Sequence, residues 1–268
     1  VHLYYQLDNF YQNHRRYVKS RDDMQLRGID NWIKKNGYKW DDSVQMDKPA
    51  GSRTKTASEV FPLCSPLVLP DHISGKSCTW NSTTGGTGPY KDIPCKVMWP
   101  CGLIAGSFFN DYFLPMTTNS GGGLKDGYSV SADGTYTIND GTKWSEKGIA
   151  WKSDVSTKFK NPTTETAGWN YEDDVAKGVS SDYYHLYQMY PNFPNLKNEG
   201  LENEHFIVWM RTAGLPTFRK LYARIDEKLT KGSQYTVKVN AGFNVTSFKG
   251  KKRLVLSTTS WMGGKNSF

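Results

Sequence analysis

The side chains that catalysis uses most often are present in this sequence, but not at the spacings that catalytic motifs require. Gly75-Lys76-Ser77 resembles the end of a phosphate-binding loop, yet Pro70 stands where that motif begins with glycine. Residues 127–131 lack the second glycine of a nucleophile elbow. The histidines are isolated, with no pair at zinc-binding spacing: His2, His14, His72, His185 and His205. The sequence therefore predicts no catalytic residue, no metal site and no cofactor.

Acidic residues occur in adjacent pairs, and a glycosidase needs two carboxyl groups that face one cleft. The pairs are Asp22-Asp23, Asp41-Asp42 and Asp173-Asp174. Neighbouring side chains on a strand point to opposite faces, so these pairs fit solvated loops better than an acid–base site. Two carboxylates brought together from distant segments would leave no such signal, and glycan processing is therefore kept as the alternative function.

A run of basic and aromatic residues at 9–21 contains four arginines or lysines and no acid. Its candidate site residues are Asn9, Phe10, Tyr11, His14, Arg15, Arg16 and Tyr17. Such a run can bind phosphates, either of single-stranded nucleic acid or of phospholipid headgroups. Arginines stacked on tyrosines can equally hold a loop against a sheet edge. The chain has 34 basic and 26 acidic residues, a net charge of +8, which permits an anionic partner without requiring one.

Four cysteines lie in one stretch of the chain, at Cys64, Cys78, Cys95 and Cys101. Their even number, together with glycosylation sequons at Asn81 and Asn244, favours disulfides in an oxidising, glycosylating compartment, where nucleic acid is not an expected partner. Three pairings are allowed. We prefer the nested one, with Cys64–Cys101 outside Cys78–Cys95, because it ties down the base of the loop between them. Each closure contributes roughly 3–4 kcal/mol in the chain-entropy model.

The elements that must position these residues are predicted to be mainly short strands. Apolar or alternating stretches predict strands at 1–7, 148–151, 235–239 and 253–261, with hairpins inside 117–142. Asn203 predicts the cap of a short helix from Glu204 to about Thr212. Residues 218–225 fit a helix or a strand, and we favour a strand that forms a hairpin through 226–233. The polar segments 29–60 and 163–203 are predicted to be loops.

Together these elements predict one domain, residues 1–268: a mainly β, antiparallel β-sandwich with long disulfide-tied loops and a few short helices. No apolar run approaches the ~18–20 residues that span a bilayer. The first residues resemble a strand and not a signal peptide. A start of that kind suggests a fragment of a longer protein.

Six blocks occur along the chain in an order and at a length that chance does not explain. The blocks lie at 9–23, 101–105, 147–151, 159–162, 206–222 and 256–266. The first begins with Asn9-Phe10-Tyr11-Gln12-Asn13-His14-Arg15-Arg16-Tyr17. With these blocks the chain resembles the cell division control protein 50 family. Members of that family are the accessory (beta) subunits of type IV P-type ATPases, the phospholipid flippases.

The resemblance implies an exoplasmic domain between two transmembrane helices that are absent from this chain. The whole protein would reside in the endoplasmic reticulum, the Golgi, endosomes or the plasma membrane. It would form a heterodimer with the ATPase alpha subunit and support its folding, its exit from the endoplasmic reticulum and its transport activity, without catalysing a reaction.

The resemblance also bears on individual residues. It implies the Cys64–Cys101 disulfide through the matches Cys64-Ser65-Pro66 and Cys101-Gly102-Leu103, and it leaves Cys78 and Cys95 for each other. Asn244 lies near the family's usual sequon but not on it. Segments 29–60, 66–100 and 163–200 are insertions relative to better-known members. Four further candidates for structural or interface roles, of which the structural role is preferred, are Trp209, Arg211, Trp261 and Lys265.

The alternative function is an extracellular β-sandwich that binds or processes carbohydrate through exposed aromatic side chains. A cleft with coplanar aromatic rings and facing carboxylates would favour it. An irregular surface covered by loops would favour the accessory subunit.

Overall fold

A four-stranded antiparallel sheet holds the first strand of the chain between two later ones. The computed structural model describes residues 1–29, 39–40, 45–47, 55–56, 62–68, 97–115, 117–118, 128–130, 136–138, 144–167, 170–177, 183–226, 229 and 231–258. The strands among them are β1 His2–Asp8, β2 Lys39–Trp40, β3 Gln45–Asp47, β4 Lys55–Thr56, β5 Val97–Trp99, β6 Tyr112–Phe113, β7 Thr117–Thr118, β8 Tyr128–Val130, β9 Tyr136–Ile138, β10 Trp144–Ser145, β11 Tyr183–His185, β12 Phe218–Ile225, β13 Tyr235–Thr236, β14 Val239–Asn240 and β15 Lys251–Ser257.

The helices in the described part of the chain are all short. They are α1 Arg15–Lys19, α2 Asp23–Leu26, α3 Lys152–Thr157, α4 Thr164–Ala167, α5 Tyr171–Lys177, α6 Leu186–Met189, α7 Leu196–Glu199 and α8 Glu204–Met210. Single turns of 3-10 helix lie at Pro62–Cys64, Ala105–Ser107, Gly200–Glu202 and Thr246–Phe248.

The main sheet has the strand order β10-β12-β1-β15, and every pairing in it is antiparallel. Leu3, Tyr5 and Leu7 of β1 are buried, because successive side chains of a strand point to opposite faces and these three share one face. Tyr5 lies opposite Lys220 on one side and Leu254 on the other. The core therefore lies against this face of β1.

Helices and turns cover the buried face of the sheet. Helix α8 begins after Asn203, whose side-chain oxygen accepts a hydrogen bond from the Phe206 amide at 3.2 Å, as an N-cap should. Phe206 and Trp209 of α8 are fully buried, and the helix packs on β12. The ring of Phe109, after the turn Ala105–Ser107, stacks on Tyr5 with centroids 3.9 Å apart.

This cover changes the predicted fold class. The antiparallel sheet agrees with the prediction, but the β-sandwich is supported only in part. The other sheets of the described residues have two or three strands, and β11 pairs with β5 in parallel. Short helices take the place of a second large sheet, and tertiary packing of the one or two side chains that each buries stabilises most of them.

Residues 163–203 are not the surface loop that their polar composition predicts. They contain α4 to α7 and β11, and their buried side chains in the described part are Ala167, Tyr171, Tyr183, His185, Leu186, Tyr190, Phe193, Leu196, Leu201 and Asn203. Each helix spans only four to seven residues. An element of one or two turns buries one or two apolar side chains, which is too few to produce a helical periodicity in the sequence.

Three further predictions of local structure are wrong. Residues 148–151 form no strand; Trp151 caps α3, and Gly148 has φ +67°, which favours glycine. Residues 218–225 do form a strand, but β12 pairs with β1 and β10, not in a hairpin with 235–239. That segment divides into β13, which pairs with β7, and β14, which pairs with β6. The seven-residue β1 offers β12 a longer partner than the two-residue strands β13 and β14 that follow β12 in the chain.

Other local predictions are confirmed. β1, the hairpin of β8 and β9, and helix α8 form where predicted, although α8 ends at Met210. β15 begins two residues early and ends at Ser257, and residues 259–261 of its predicted extent lie outside the described residues. Segment 29–60 contains a three-stranded sheet of β2, β3 and β4, and so is not only loop.

Candidate functional site

Residues 9–17 and 209–216 meet at one place, which we call the joint. The Phe10 amide donates to the Pro216 carbonyl at 3.1 Å, and the Asn13 side-chain amide donates to the Gly214 carbonyl at 3.0 Å. The side-chain oxygen of the fully buried Gln12 accepts from the Ala213 amide at 2.9 Å. Two sequence blocks about 200 residues apart are therefore held together mainly through backbone groups.

The inner side of the joint is an aromatic cluster centred on Phe10. Five rings have centroids 5.1–6.4 Å from its own: Tyr17, Trp209, Phe218, Phe243 and Phe248. Asn9 begins this segment in a left-handed conformation, φ +60°, and its side-chain amide donates to the Phe248 carbonyl at 2.6 Å. Asn tolerates that conformation better than most residues. These contacts are those that a structural role would require, and the roles of Asn9 and Phe10 stay predictions.

Tyr17 and Trp209 anchor the joint to the turn at Ala105–Ser107. The Tyr17 hydroxyl lies 2.8 Å from Ser107 Oγ, and burial raises the pKa of Tyr17 to about 12. The Trp209 indole N–H donates to the Ile104 carbonyl at 2.8 Å. Both side chains are buried with their polar atoms satisfied, so the structural role predicted for them agrees with the geometry.

Arg211 connects the joint to α3. Its Nε bonds Asp154, and its guanidinium lies 4.1 Å from the ring centroid of Trp151. Asp154 is 2% exposed and also pairs with Lys158 Nζ at 2.7 Å. Burial raises the pKa of Asp154, but hydrogen bonds from Arg211 and Lys158 outweigh burial and lower the pKa below its usual value.

Lys220 is a functional candidate that the sequence analysis missed. Its ammonium donates to the carbonyls of Val208 at 2.8 Å and Trp209 at 3.2 Å, and to that of Arg211. It thereby satisfies the carbonyls at the end of α8. Burial, and then the charge of Arg211, lowers the pKa of Lys220 to about 7. The sequence did carry a signal for the burial of Lys220. This residue lies two positions from both Phe218 and Tyr222 on β12, so all three side chains share the buried face.

The outer face of the joint carries the remaining residues of the predicted run. Tyr11 is 55% exposed and Leu215 is 70% exposed, beside the backbone bonds that connect their segments. His14, Arg15 and Arg16 are exposed as well, and His14 caps α1 without a side-chain bond. We call these five residues the outer face. It combines two large apolar side chains with two permanent cations.

The Cys64–Cys101 disulfide is present, as both the residues and the resemblance predicted. Ser20 fixes its surroundings, because its hydroxyl donates to the Cys64 carbonyl at 2.8 Å and accepts from the Leu103 amide at 2.9 Å. Asn244 is exposed, and its side-chain oxygen accepts from Thr246. Its glycosylation stays a prediction. The candidates that lie outside the described residues are Cys78, Asn81, Cys95, Trp261 and Lys265.

A buried histidine–carboxylate pair lines a cavity of about 240 Å³, to which Glu199 and Glu204 also contribute. His205 Nε2 lies 2.7 Å from Glu146, which also accepts from the Trp144 indole N–H at 2.8 Å. The imidazole packs on Tyr222, 4.3 Å between centroids. The described residues contain no group of three or more His, Cys, Asp or Glu placed to bind a metal ion. No helix found within them has the length and apolarity to cross a membrane.

Comparison with known proteins shows which family the chain belongs to. The family model described as LEM3 (ligand-effect modulator 3) family / CDC50 family matches residues 1–268. The chain is 36% identical to ALA-interacting subunit 3 of Arabidopsis thaliana and 35% identical to cell cycle control protein 50A of Bos taurus, in each case over 100% of this chain. It is 33% identical to cell cycle control protein 50B of Homo sapiens, also over its whole length.

The chain spans 53%, 57% and 60% of the length of these three relatives, respectively. The match nevertheless covers every block on which the resemblance was based, including 9–23 and 206–222, which contain the two segments of the joint. The predicted family is confirmed. The chain belongs to the LEM3 (ligand-effect modulator 3) / CDC50 family.

Proposed function

We propose that this chain is the exoplasmic domain of a non-catalytic accessory subunit of a phospholipid-flipping type IV P-type ATPase. In this proposal the whole protein forms a heterodimer with the ATPase alpha subunit. It supports the folding of that subunit, its exit from the endoplasmic reticulum and its transport activity. Family membership supports the proposal, and one relative is itself named an interacting subunit.

The structural observation that supports the proposal is the outer face of the joint. The inner residues Phe10, Tyr17 and Trp209 fix the backbone, while Tyr11 and Leu215 keep more than half of their surface exposed. Large apolar side chains on a rigid support, beside arginines, have the composition of protein interfaces. A subunit that acts by binding needs such a surface and needs no reactive group.

The disulfide supports an exoplasmic location, because such bonds persist in oxidising compartments. The endoplasmic reticulum, the Golgi, endosomes and the plasma membrane all satisfy this condition on their exoplasmic side. The transmembrane helices would belong to parts of the protein beyond this chain.

Co-purification of the full-length protein from its native membranes in mild detergent tests the proposal. A P-type ATPase should co-purify, and its lipid-stimulated ATP hydrolysis should fall when the subunit is removed. The double variant Tyr11→Ala, Leu215→Ala should recover at least fivefold less ATPase. Leu256→Ala is the matched control, because Leu256 is 46% exposed on β15. It pairs with Leu3 near the start of β1, whereas Asn9 follows the last residue of that strand.

Recovery of the protein alone, with full flippase activity in cells that lack it, would reject the accessory-subunit proposal. A glycan-binding screen would then test the carbohydrate alternative. Equal ATPase recovery for both variants would leave the family's subunit role intact but move the interface away from the joint.

A further inference from the structure

A basic cavity opens beside the joint, between α2, the end of α3 and the end of α8. Its volume is about 380 Å³. Four cationic side chains line it: Arg21, Arg27, Lys158 and Arg211. Leu26 and Phe159 form part of its wall and are buried. The outer-face residues Arg15 and Arg16 do not line this cavity, so it is a separate feature of the surface.

The carboxylates of the cavity are already engaged. Asp23 pairs with Arg21 at 3.0 Å, and the buried Asp154 pairs with Lys158 at 2.7 Å and with Arg211. Four cations against these two carboxylates leave an excess of two positive charges among the lining residues. Arg27 is exposed, and no carboxylate of the described residues pairs with it.

Both arginines that are paired keep donors for a ligand. Arg21 and Arg211 each use Nε for their carboxylate. A guanidinium has five N–H donors, so the terminal nitrogens of each remain able to bind an oxyanion. Arg211 is also held over the ring of Trp151, which limits the rotamer entropy it would lose on binding.

The walls of the cavity are fixed relative to one another. The Lys160 amide donates to the Leu26 carbonyl at 2.9 Å, which joins α2 to the segment after α3. Gly28 has φ +71°, and a Cβ there would lie 2.6 Å from the Asn161 carbonyl oxygen, so the two segments touch through backbone. The Arg21 amide donates to the Leu63 carbonyl at 3.1 Å, next to the disulfide. The backbone segments that carry the cations are therefore held in place without a ligand.

We infer that this cavity binds the phosphate group of a phosphate ester. Clustered guanidinium groups match the geometry of phosphate oxygens, and the apolar wall fits the carbon part of an ester better than a bare ion. The ester could be a soluble metabolite or the headgroup of a phospholipid, since both present the same group. The inference does not depend on the proposed function, because it uses only the residues of the cavity.

Calorimetric titration of the full-length protein in a neutral detergent tests the inference. Three probes are titrated. The first is glycerophosphoserine, which is a soluble phosphodiester; the second is inorganic phosphate; the third is sodium chloride at matched ionic strength. Glycerophosphoserine should bind saturably, and Arg21→Gln with Arg27→Gln together should weaken it at least tenfold. Lys158 and Arg211 are left unchanged because they hold Asp154. The matched control is Arg15→Gln with Arg16→Gln, which removes the same charge outside the cavity and should change affinity less than twofold.

Two further arms identify the source of the phosphate. Flotation with vesicles of phosphatidylcholine and of phosphatidylcholine with phosphatidylserine reports on a lipid headgroup. If the variant with Arg21→Gln and Arg27→Gln loses vesicle binding while the control with Arg15→Gln and Arg16→Gln keeps it, the site is assigned to a lipid headgroup. Binding of the soluble probes without vesicle binding assigns it to a metabolite. Equal losses in both double variants, or heats that sodium chloride reproduces, would show only general charge attraction and would overturn the inference.

Discussion

Asp154 and Lys220 are both buried charged residues that bond Arg211, but their charges are compensated in different ways. Asp154 is an anion bonded to two cations, Lys158 and the guanidinium of Arg211. Lys220 is a cation whose bonds to other described residues go to carbonyl oxygens, those of Val208, Trp209 and Arg211. Arg211 is thus fixed through its side chain by one residue and through its backbone by the other.

The difference lies in what each bonded group can do if the buried residue is removed. Lys158 and Arg211 have side chains that are 56% and 43% exposed, so water can solvate them again. The carbonyls at the end of α8 belong to a helix packed in the core. A buried acceptor without a donor there lowers the stability of the folded state, because its desolvation is not compensated. The comparison indicates that dipole-bonded Lys220 supports the fold more than ion-paired Asp154 does.

Replacing Lys220 should have the largest effect. Lys220→Met keeps the apolar stem but leaves the α8 carbonyls without their donor, which should lower the free energy of unfolding by about 3 kcal/mol. Urea denaturation of the purified protein measures this value. Arg219→Met is the control, because Arg219 is the adjacent β12 residue but is exposed, and it should change stability by about 0.5 kcal/mol or less. Equal effects of the two variants would contradict the role of Lys220.

Replacing Asp154 should have a smaller effect. Asp154→Asn preserves shape but removes the charge that holds Arg211 and Lys158. We expect a loss of about 1–2 kcal/mol, because both cations can turn to solvent. The same denaturation assay applies, with Asp173→Asn on α5 as an exposed control. A loss larger than that of Lys220→Met would reverse the comparison.

The two residues should also respond to different pH ranges. The folded pKa of Lys220 is lowered to about 7 from 10.5, so above pH 7 the unfolded chain binds more protons there and stability rises with pH. The stability of the wild type relative to Lys220→Met should increase by about 1 kcal/mol between pH 7 and 8. A flat difference over that range would show that the ammonium keeps its proton in the core.

Asp154 should show the opposite window. Its pKa is lowered below 3.8, so its contribution is complete above that pH and is lost as pH falls below it. The stability difference between the wild type and Asp154→Asn should therefore stay constant between pH 7 and 8 and shrink only in acid. A change near neutrality would mean that the pair with Lys158 and Arg211 does not hold in solution.

The smallest effect is expected at Trp151. This residue is 65% exposed, and its ring supports the Arg211 guanidinium. Trp151→Leu removes the cation–π contact and should lower stability by about 0.5–1 kcal/mol. In the Asp154→Asn background the loss should be smaller, because Arg211 is then free to leave the ring. A double-mutant cycle measures this coupling, and additive losses would indicate two independent contacts.

Sequence reasoning succeeded where the signal was local. The aromatic and aliphatic run at 1–7 predicts β1, and Asn203 before Glu204 predicts α8. The partner of β12 was not predictable in this way, because strand pairing over some 215 residues leaves no mark on either strand. The buried aromatic residues of 163–203 were missed because Tyr171 and Tyr183 belong to elements too short to show a period, and Tyr190 and Phe193 lie between helices.

The candidate site was predicted unevenly for the same reason. Tyr17, Trp209 and Arg211 stand out by type and by resemblance, and all three lie at or beside the joint. Asp154 lies in a polar stretch where a charged residue normally faces water, and only the packing of α3 shows that it is buried. Lys220 shares the phase of Phe218 and Tyr222 on β12, a signal that the sequence analysis did not use.

The central position of β1 in the sheet has a consequence for biosynthesis. Its neighbours are β12 and β15, so the strand pairing brings Leu7 opposite Phe218 and His2 opposite Ser257. A ribosome that adds 5–20 residues per second needs roughly 10–40 s between β1 and β12. During that interval the first strand, with three residues destined for the core, has no edge to join. Such a high contact order predicts slow folding after synthesis, and a chaperone that shields the emerging strand would raise the yield.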